Sequence, residues 1–255
     1  MTEPRPEPAP PRRALLIAAH PDDIEFVMAG TAAKWRSMGT EVRYVLVTSG
    51  DAGSRDPSLS RSELAHIREA EQRAAARVAG VDDVVFLGYP DGELMLTLDL
   101  RRSLVREIRR FKPDAVLCFD PTRLFSGDRY INHPDHRAAG QAALDAVAPG
   151  AAMPNVFADL RDEGLEPHAV REVYVSGGQD GATFIDISDT IELKLEALRQ
   201  HASQFPGGWD PGEMVREWAA ETGKRAGVPY AEAFLHIVLA REEQSEADED
   251  SDSLG

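Results

Sequence analysis

The sequence predicts an α/β domain, a Rossmann-like and mostly parallel sheet flanked by helices, with a less regular C-terminal portion. Three observations point there. Short, wholly apolar runs alternate with amphipathic stretches through the first half of the chain, as buried parallel strands alternate with the helices that cover them. Two of those runs lead into segments dense in histidine and aspartate, and the carboxyl ends of parallel strands are where such sheets build their sites. The length of 255 residues suits one such domain with a full hydrophobic core.

Taken in order, residues 1–12 are a Pro-rich polar leader, expected to be disordered. The α/β domain is expected over 13–240. Its first four strands are read at Ala14 to Ala19, Val42 to Val47, Val84 to Leu87 and Ala115 to Phe119. The helix between the second and third carries clear punctuation: Ser60 and Glu63 form a capping box, Leu59 can staple to Leu64, and Gly80 ends the helix in a left-handed position. In the second half, strands are expected at Glu172 to Ser176 and Thr183 to Ile187, then a helix capped by Asp189. The stretch Phe205 to Pro211 leads to a further helix and a last strand, Ala233 to Leu239. The segment 241–255 is an acidic, aromatic-free tail that cannot bury enough surface to offset the entropy of ordering, and disorder is expected there too.

Composition excludes several functions. A formal net charge of −16 lacks the basic face that nucleic acid or an anionic membrane requires. No apolar run approaches the roughly 18 residues that span a bilayer, so a soluble, cytoplasmic protein is expected. The one cysteine, Cys118, lies inside an apolar run, which leaves no disulfide framework and no thiolate metal site. Any metal must be held by histidine and carboxylate.

The first such constellation is His20-Pro21-Asp22-Asp23, where the first strand gives way to the first helix. An acidic first turn satisfies a helix N-terminus without any catalysis. His20 is what that account leaves over. Residues three apart on a helical turn share a side, so His20 and Asp23 can chelate one ion while Asp22, about 100° away, stands beside it. The second constellation, Asn132-His133-Pro134-Asp135-His136, repeats the layout after the fourth strand and a long loop. Two histidines and one carboxylate suit zinc and leave the open position a catalytic ion needs. Spacing leaves open which of His133 and His136 is the ligand.

The residues AHPDD followed by Ile24-Glu25 and Gly30, together with HPDH, resemble the PIG-L or LmbE-like family of zinc-dependent N-acetylglucosamine deacetylases. Weaker likeness extends through Thr48 to Gly53, Arg68 and Glu71, Pro90-Asp91-Gly92 and the stretch Asp186 to Gln204. The resemblance implies one divalent ion per chain, zinc first and Fe(II) as the alternative, held by His20, Asp23 and His136. It also implies Asp22 as general base and His133, held by Asp135, as the group that meets the oxyanion or protonates the leaving amine. Such an ion lowers the pKa of water from about 15.7 to about 7, which puts hydroxide within reach at neutral pH. Arg68 and Asp91 match substrate-contacting positions, while Arg123 and Tyr130 in the loop before the second motif can meet an anionic group and the oxyanion. In relatives the loop tyrosine stands one residue closer to the histidine motif. This chain also has Ala29-Gly30 where a glycine pair is common, and Gly50-Asp51 where Gly-Glu is common.

The expected function is therefore hydrolysis of an N-acyl group, usually acetyl, from an amino sugar or sugar conjugate. An amidase acting on a thiol-sugar conjugate or natural product is the alternative within the fold. Two histidines and a carboxylate also form the facial triad of non-haem iron oxygenases. A non-catalytic metal or sugar-binding protein is the third reading. Neither oxygenase chemistry nor simple binding calls for Asp22, and binding does not call for His133. Assembly into a homo-oligomer is left open by the sequence.

Overall fold

The structure is a computed structural model that describes residues 7–128, 130–177, 183–205, 207 and 209–239. The first half is regular. Strands β1 (Arg13–Ala18), β2 (Glu41–Thr48), β3 (Asp83–Tyr89) and β4 (Ala115–Phe119) are separated by α1 (Asp23–Val27) and α2 (Ala29–Ser37), then α3 (Arg61–Val78), then α4 (Leu98–Phe111). A two-stranded hairpin, β5 (Phe125–Ser126) and β6 (Tyr130–Ile131), precedes α5 (Pro134–Asp145). The remainder comprises β7 (Glu172–Ser176), β8 (Thr183–Asp186), α6 (Ile191–Arg199), α7 (Gly212–Ala226) and β9 (Ala231–Val238).

Seven of these strands form one sheet in the order β3-β2-β1-β4-β7-β9-β8. The pairs β1–β2, β2–β3, β1–β4 and β4–β7 are parallel, whereas β9 runs antiparallel to both β7 and β8. The expected mostly parallel sheet is thus present, and the less regular portion is its antiparallel edge.

The apolar runs read as strands because both faces of the sheet are covered. Along β1, Ala14, Leu16 and Ala18 pack with Ile24 and Met28 of the α1 region, Trp35 of α2, and Leu195 and Leu198 of α6. Leu15 and Ile17 point the other way, onto Leu100, Leu104 and Ile108 of α4 and Ala139, Ala142 and Ala143 of α5. At roughly 25 cal/mol per Å² of apolar area, these two layers hold the strand ends, and so the site, in place.

The capping box and the closing glycine of α3 are as expected. Ser60 accepts the Glu63 N–H at 3.2 Å while the Glu63 carboxylate accepts the Ser60 N–H at 3.0 Å, and Gly80 follows at φ 77°. The cap of α6 is not. The helix begins after Thr190 rather than Asp189, and the Thr190 hydroxyl donates to Gly30 O at 2.9 Å instead of capping its own helix. A contact across 160 residues outweighs the local signal.

Of the leader, residues 7–12 lie against the domain. Pro11 is buried, its carbonyl accepts the Thr40 hydroxyl at 2.7 Å, and Arg12 O accepts the Glu41 N–H at 2.9 Å. Residues 1–6 and the acidic tail 241–255 lie outside the described residues.

Candidate active site

The site sits at the carboxyl ends of β1 to β4. Adjacent pairing of β1 and β4 brings the two histidine motifs together from positions more than a hundred residues apart. His20 follows β1 and is buried. Its Nε2 lies 3.0 Å from Asp91 Oδ1, beyond β3, and 3.3 Å from Asp135 Oδ2 in the first turn of α5. Its Nδ1 lies 3.4 Å from Asp23 Oδ2, the oxygen that also accepts the His20 backbone N–H at 2.8 Å. The other Asp23 oxygen is 3.0 Å from His136 Nε2.

His136 is oriented from two sides. Its Nδ1 meets Asn132 Oδ1 at 3.1 Å, which leaves Nε2 as the free donor of a lone pair. Its ring stacks on Phe119 with centroids 4.8 Å apart and planes 7° apart. That stacking needs α5 close to the end of β4. Gly140 permits it, since a Cβ there would stand 2.5 Å from Phe119 O.

Asp22 departs from the expected helical turn. It is the residue before α1 and adopts a left-handed backbone, φ 92°, rather than occupying the first turn beside Asp23. Its backbone therefore faces α3: the Asp22 N–H donates to Gln72 Oε1 at 3.0 Å, and Arg68 donates to the Asp22 carboxylate at 3.2 Å. Arg68 is itself buried, donating also to Pro21 O at 2.6 Å and Gly50 O at 3.0 Å. The guanidinium keeps this place only with glycine at positions 50 and 53, since a Cβ at either would collide with it.

His133 caps α5. Its Nδ1 accepts the Asp135 N–H at 3.2 Å, while the nearest Asp135 carboxylate oxygen is 3.8 Å away. The expected hold by Asp135 is thus exerted mainly by its backbone. The Asp135 carboxylate instead accepts the Gly92 N–H at 2.7 Å and faces His20.

The charges explain one another. Burial opposes protonation of His20, but Asp23, Asp135 and Asp91 outweigh it and push the imidazole up to about 12. Burial likewise raises Asp23 and Asp91, yet the facing histidines win; Asp23 is held well below the usual carboxylate range and Asp91 falls to about 2. Asp22 moves the other way, up to about 6, because burial exceeds the pull of Arg68. Burial and the neighbouring His20 charge lower His133.

Three carboxylates around one imidazole form a field that favours a cation, and the donors converge. One nitrogen each from His20, His133 and His136 lie within 4.8 Å of one another, as do donor atoms of His20, Asp91 and Asp135. Asp135 Oδ1 is buried without a hydrogen-bond partner. A set of imidazole nitrogens and carboxylate oxygens without thiolate fits a divalent ion such as zinc or Fe(II). The chain thus carries a His/Asp group that can hold a metal.

Arg123 and Tyr130 lie farther along the loop. Arg123 donates to Gly177 O just beyond β7, and Tyr130 is exposed on the β5–β6 hairpin. His201 is wholly buried, while Trp209 and Trp218 are half exposed against Phe205 and Phe26. Sequence reasoning gave no role to Asn132, Gln72 or Glu25. A signal for Asn132 existed in its spacing of four residues from His136, and for Gln72 in its spacing of four from Arg68 on one helix face.

Among proteins of known kind, the chain is similar to diacetylchitobiose deacetylase of Thermococcus kodakarensis, 37% identical over 89% of this chain and 86% of that protein. The solved N,N'-diacetylchitobiose deacetylase of Pyrococcus horikoshii, in complex with an inhibitor, superposes with a TM-score of 0.82 at 37% identity, covering 89% of this chain and 84% of the other. The 4-carboxy-2-hydroxymuconate hydratase of Pseudomonas putida superposes with a TM-score of 0.73 over 96% of this chain and all of its own, but at 20% identity that likeness concerns the fold alone. A family profile described as PIG-L: GlcNAc-PI de-N-acetylase matches residues 15–147, the part of the chain that carries both histidine motifs. With that profile spanning more than half of its length, the chain belongs to the PIG-L family.

Proposed function

We propose that this chain is an amidohydrolase that removes the N-acetyl group from an acetylated amino sugar, with one divalent ion held by His20, Asp23 and His136. Zinc is the first candidate for that ion and Fe(II) the second. The observation that carries the reading is the division of labour at the end of β1. The Asp23 carboxylate lies between His20 and His136, at 3.4 and 3.0 Å, while Asp22 is turned onto Arg68 by its left-handed backbone. Asp23 is chosen over Asp91 and Asp135 because it alone meets both histidines. Family membership and the deacetylase relatives support the reaction class.

An ion bound there supplies Lewis acidity, polarising the amide carbonyl and making water acidic. Asp22, pushed up to about 6 by burial against the pull of Arg68, is ionised at neutral pH yet basic enough to take a proton from water. His133 is half exposed, with Nδ1 occupied as an acceptor, so its proton resides on Nε2. That N–H can donate to the developing oxyanion. The proton on Asp22 then passes to the leaving nitrogen, so that amide and water yield acetate and a free amine.

Asp91 and Arg68 form the inner wall, and Arg123 and Tyr130 on the outer loop are assigned to the sugar. The one cysteine is buried in β4 and calls for no oxidising compartment, and we take the cytoplasm as the site of action.

The test is amine release from N,N'-diacetylchitobiose and N-acetylglucosamine, before and after chelation, with zinc or iron restored, alongside metal analysis. Asp22→Asn is expected to keep its metal and lose between about a hundredfold and ten-thousandfold in kcat. Chelator-insensitive turnover, or an Asp22→Asn variant as fast as the parent, would overturn the assignment.

A further inference from the structure

Behind Asp22 lies a second polar cluster that the reaction itself does not touch. Glu25 of α1, Gln72 of α3 and His201 after α6 are each wholly buried. Gln72 links the other two to the site: its Nε2 donates to Glu25 Oε1 at 2.9 Å, and its Oε1 accepts the Asp22 N–H at 3.0 Å. His201 Nε2 stands 3.3 Å from Glu25 Oε2. Arg68, one turn earlier on the same helix, holds the carbonyl of Pro21 and the carboxylate of Asp22.

A non-glycine residue at φ 92° is strained, and such a conformation persists only where its surroundings over-determine it. Asp22 is gripped at its N–H by Gln72 and at its carboxylate by Arg68. A glutamine amide alone could present either end to that N–H. Here the Glu25 carboxylate takes the NH₂ end, so the oxygen must face Asp22. The imidazole of His201 in turn faces the buried charge of Glu25. Burial disfavours the imidazolium, but Glu25 outweighs it and raises the imidazole above its ordinary range. Glycine would adopt this backbone without strain, but it has no carboxylate. The cluster reconciles the strained turn with the side chain that the chemistry needs.

We propose that Glu25, Gln72 and His201 are positioning residues for the reaction, a buried strut that holds Asp22 in its left-handed turn and so keeps its carboxylate apart from Asp23. The inference rests on the reading of Asp22 as general base. A merely structural strut, tying α1, α3 and the α6 end together, would contribute to stability and nothing else.

The discriminating experiment uses the metal-loaded full chain with diacetylchitobiose as substrate, and reads kcat, KM, metal per chain, melting temperature and amide exchange at Asp22. Gln72→Met is expected to lower kcat between about tenfold and a hundredfold, with KM and metal content unchanged and faster exchange of the Asp22 N–H. Glu25→Gln and His201→Gln are expected to lower kcat less, since each leaves Gln72 in place. Lys194→Met, which breaks a buried ion pair outside the site, serves as the stability control and leaves kcat unchanged. If Gln72→Met does not fold, Gln72→Asn carries the same test, because it keeps a buried amide that is one methylene too short to reach both the Asp22 N–H and Glu25. A Gln72 variant that melts lower but retains kcat and Asp22 protection would overturn the proposal, while loss of activity in Asp22→Asn would leave the base assignment standing. Full turnover in Asp22→Asn would sink the base assignment instead, and the amide-exchange result would still decide whether the strut holds the turn.

Discussion

Two buried charged clusters in this molecule are built on opposite terms. Between α2, α6 and β9, Lys194 meets Glu232, and backbone groups supply their further partners. Lys194 donates to Phe26 O at 2.9 Å, and the Glu232 carboxylate accepts Gly30 N at 3.1 Å and Thr31 N at 2.8 Å. One cation faces one anion. Around His20 the balance fails: Asp23, Asp91 and Asp135 all stand within 3.4 Å of a single imidazole. A cluster that balances charge and is tied to the backbone holds the fold together, whereas one with surplus negative charge and converging lone pairs is shaped for a cation. The difference separates structure from function where burial alone does not.

Removing His136 should break the second cluster and spare the first. His136→Ala loses the imidazole that faces Asp23, and bound metal is expected to fall at least about tenfold, taking amine release with it. Asn132→Ala, which frees the His136 ring without deleting it, should weaken metal affinity between about tenfold and a hundredfold. Metal analysis after dialysis against a chelator series reads both. Stoichiometric zinc retained by His136→Ala would show that the surplus carboxylates, not the assigned ligand set, hold the ion.

The converse experiment is Lys194→Met. It leaves Glu232 charged, buried and unpaired, which should cost about 3–5 kcal/mol of stability, read as a lower denaturation midpoint. Metal content and kcat should not move. A fall in kcat at full occupancy would mean that the two clusters are coupled through α1 and α2, and the contrast between them would dissolve.

What the sequence revealed, and what it did not, follows the same division. Strands β1 to β4 were legible because residues such as Leu15 and Leu16 point to opposite faces and both faces are covered, giving runs with no polar break. The two histidine motifs were legible because each is local, although spacing alone did not choose between His133 and His136. Their convergence depends only on β1 and β4 being neighbours. The left-handed turn at Asp22 was not legible, since Pro21 and the acidic residues after it read as an ordinary helix start. Its cause lies 50 residues away, in Gln72. Glu25 and His201 are separated by still more chain, and nothing in the local pattern of either announces the other. Arg68 carried a helix-face position that suits solvent; only the glycines at 50 and 53, read together with it, hint that a buried guanidinium needs room.

The finest cut between the two clusters is the dependence of stability on pH. Burial disfavours the charged form of His201, but Glu25, Asp22 and Glu71 outweigh it, so the folded-state pKa lies above the unfolded value of about 6.5. Between those two values the folded chain binds more protons than the unfolded chain, and stability falls as pH rises. The contribution of His201 is fully present below about pH 6.5 and is lost as pH climbs through its folded pKa. His201→Gln should therefore flatten the decline of melting temperature on the alkaline side of that point, while leaving the acid side lowered and parallel. His20 acts with the same sign when no ion is bound, so the comparison is made on metal-loaded protein and read only as the difference between parent and variant. Lys194→Met, the control outside this cluster, should lower the melting temperature and leave the His201-dependent difference between parent and His201→Gln as it is. Parallel curves for parent and His201→Gln would mean that His201 is neutral in the folded chain, and the Glu25 carboxylate would then stand unbalanced in the interior.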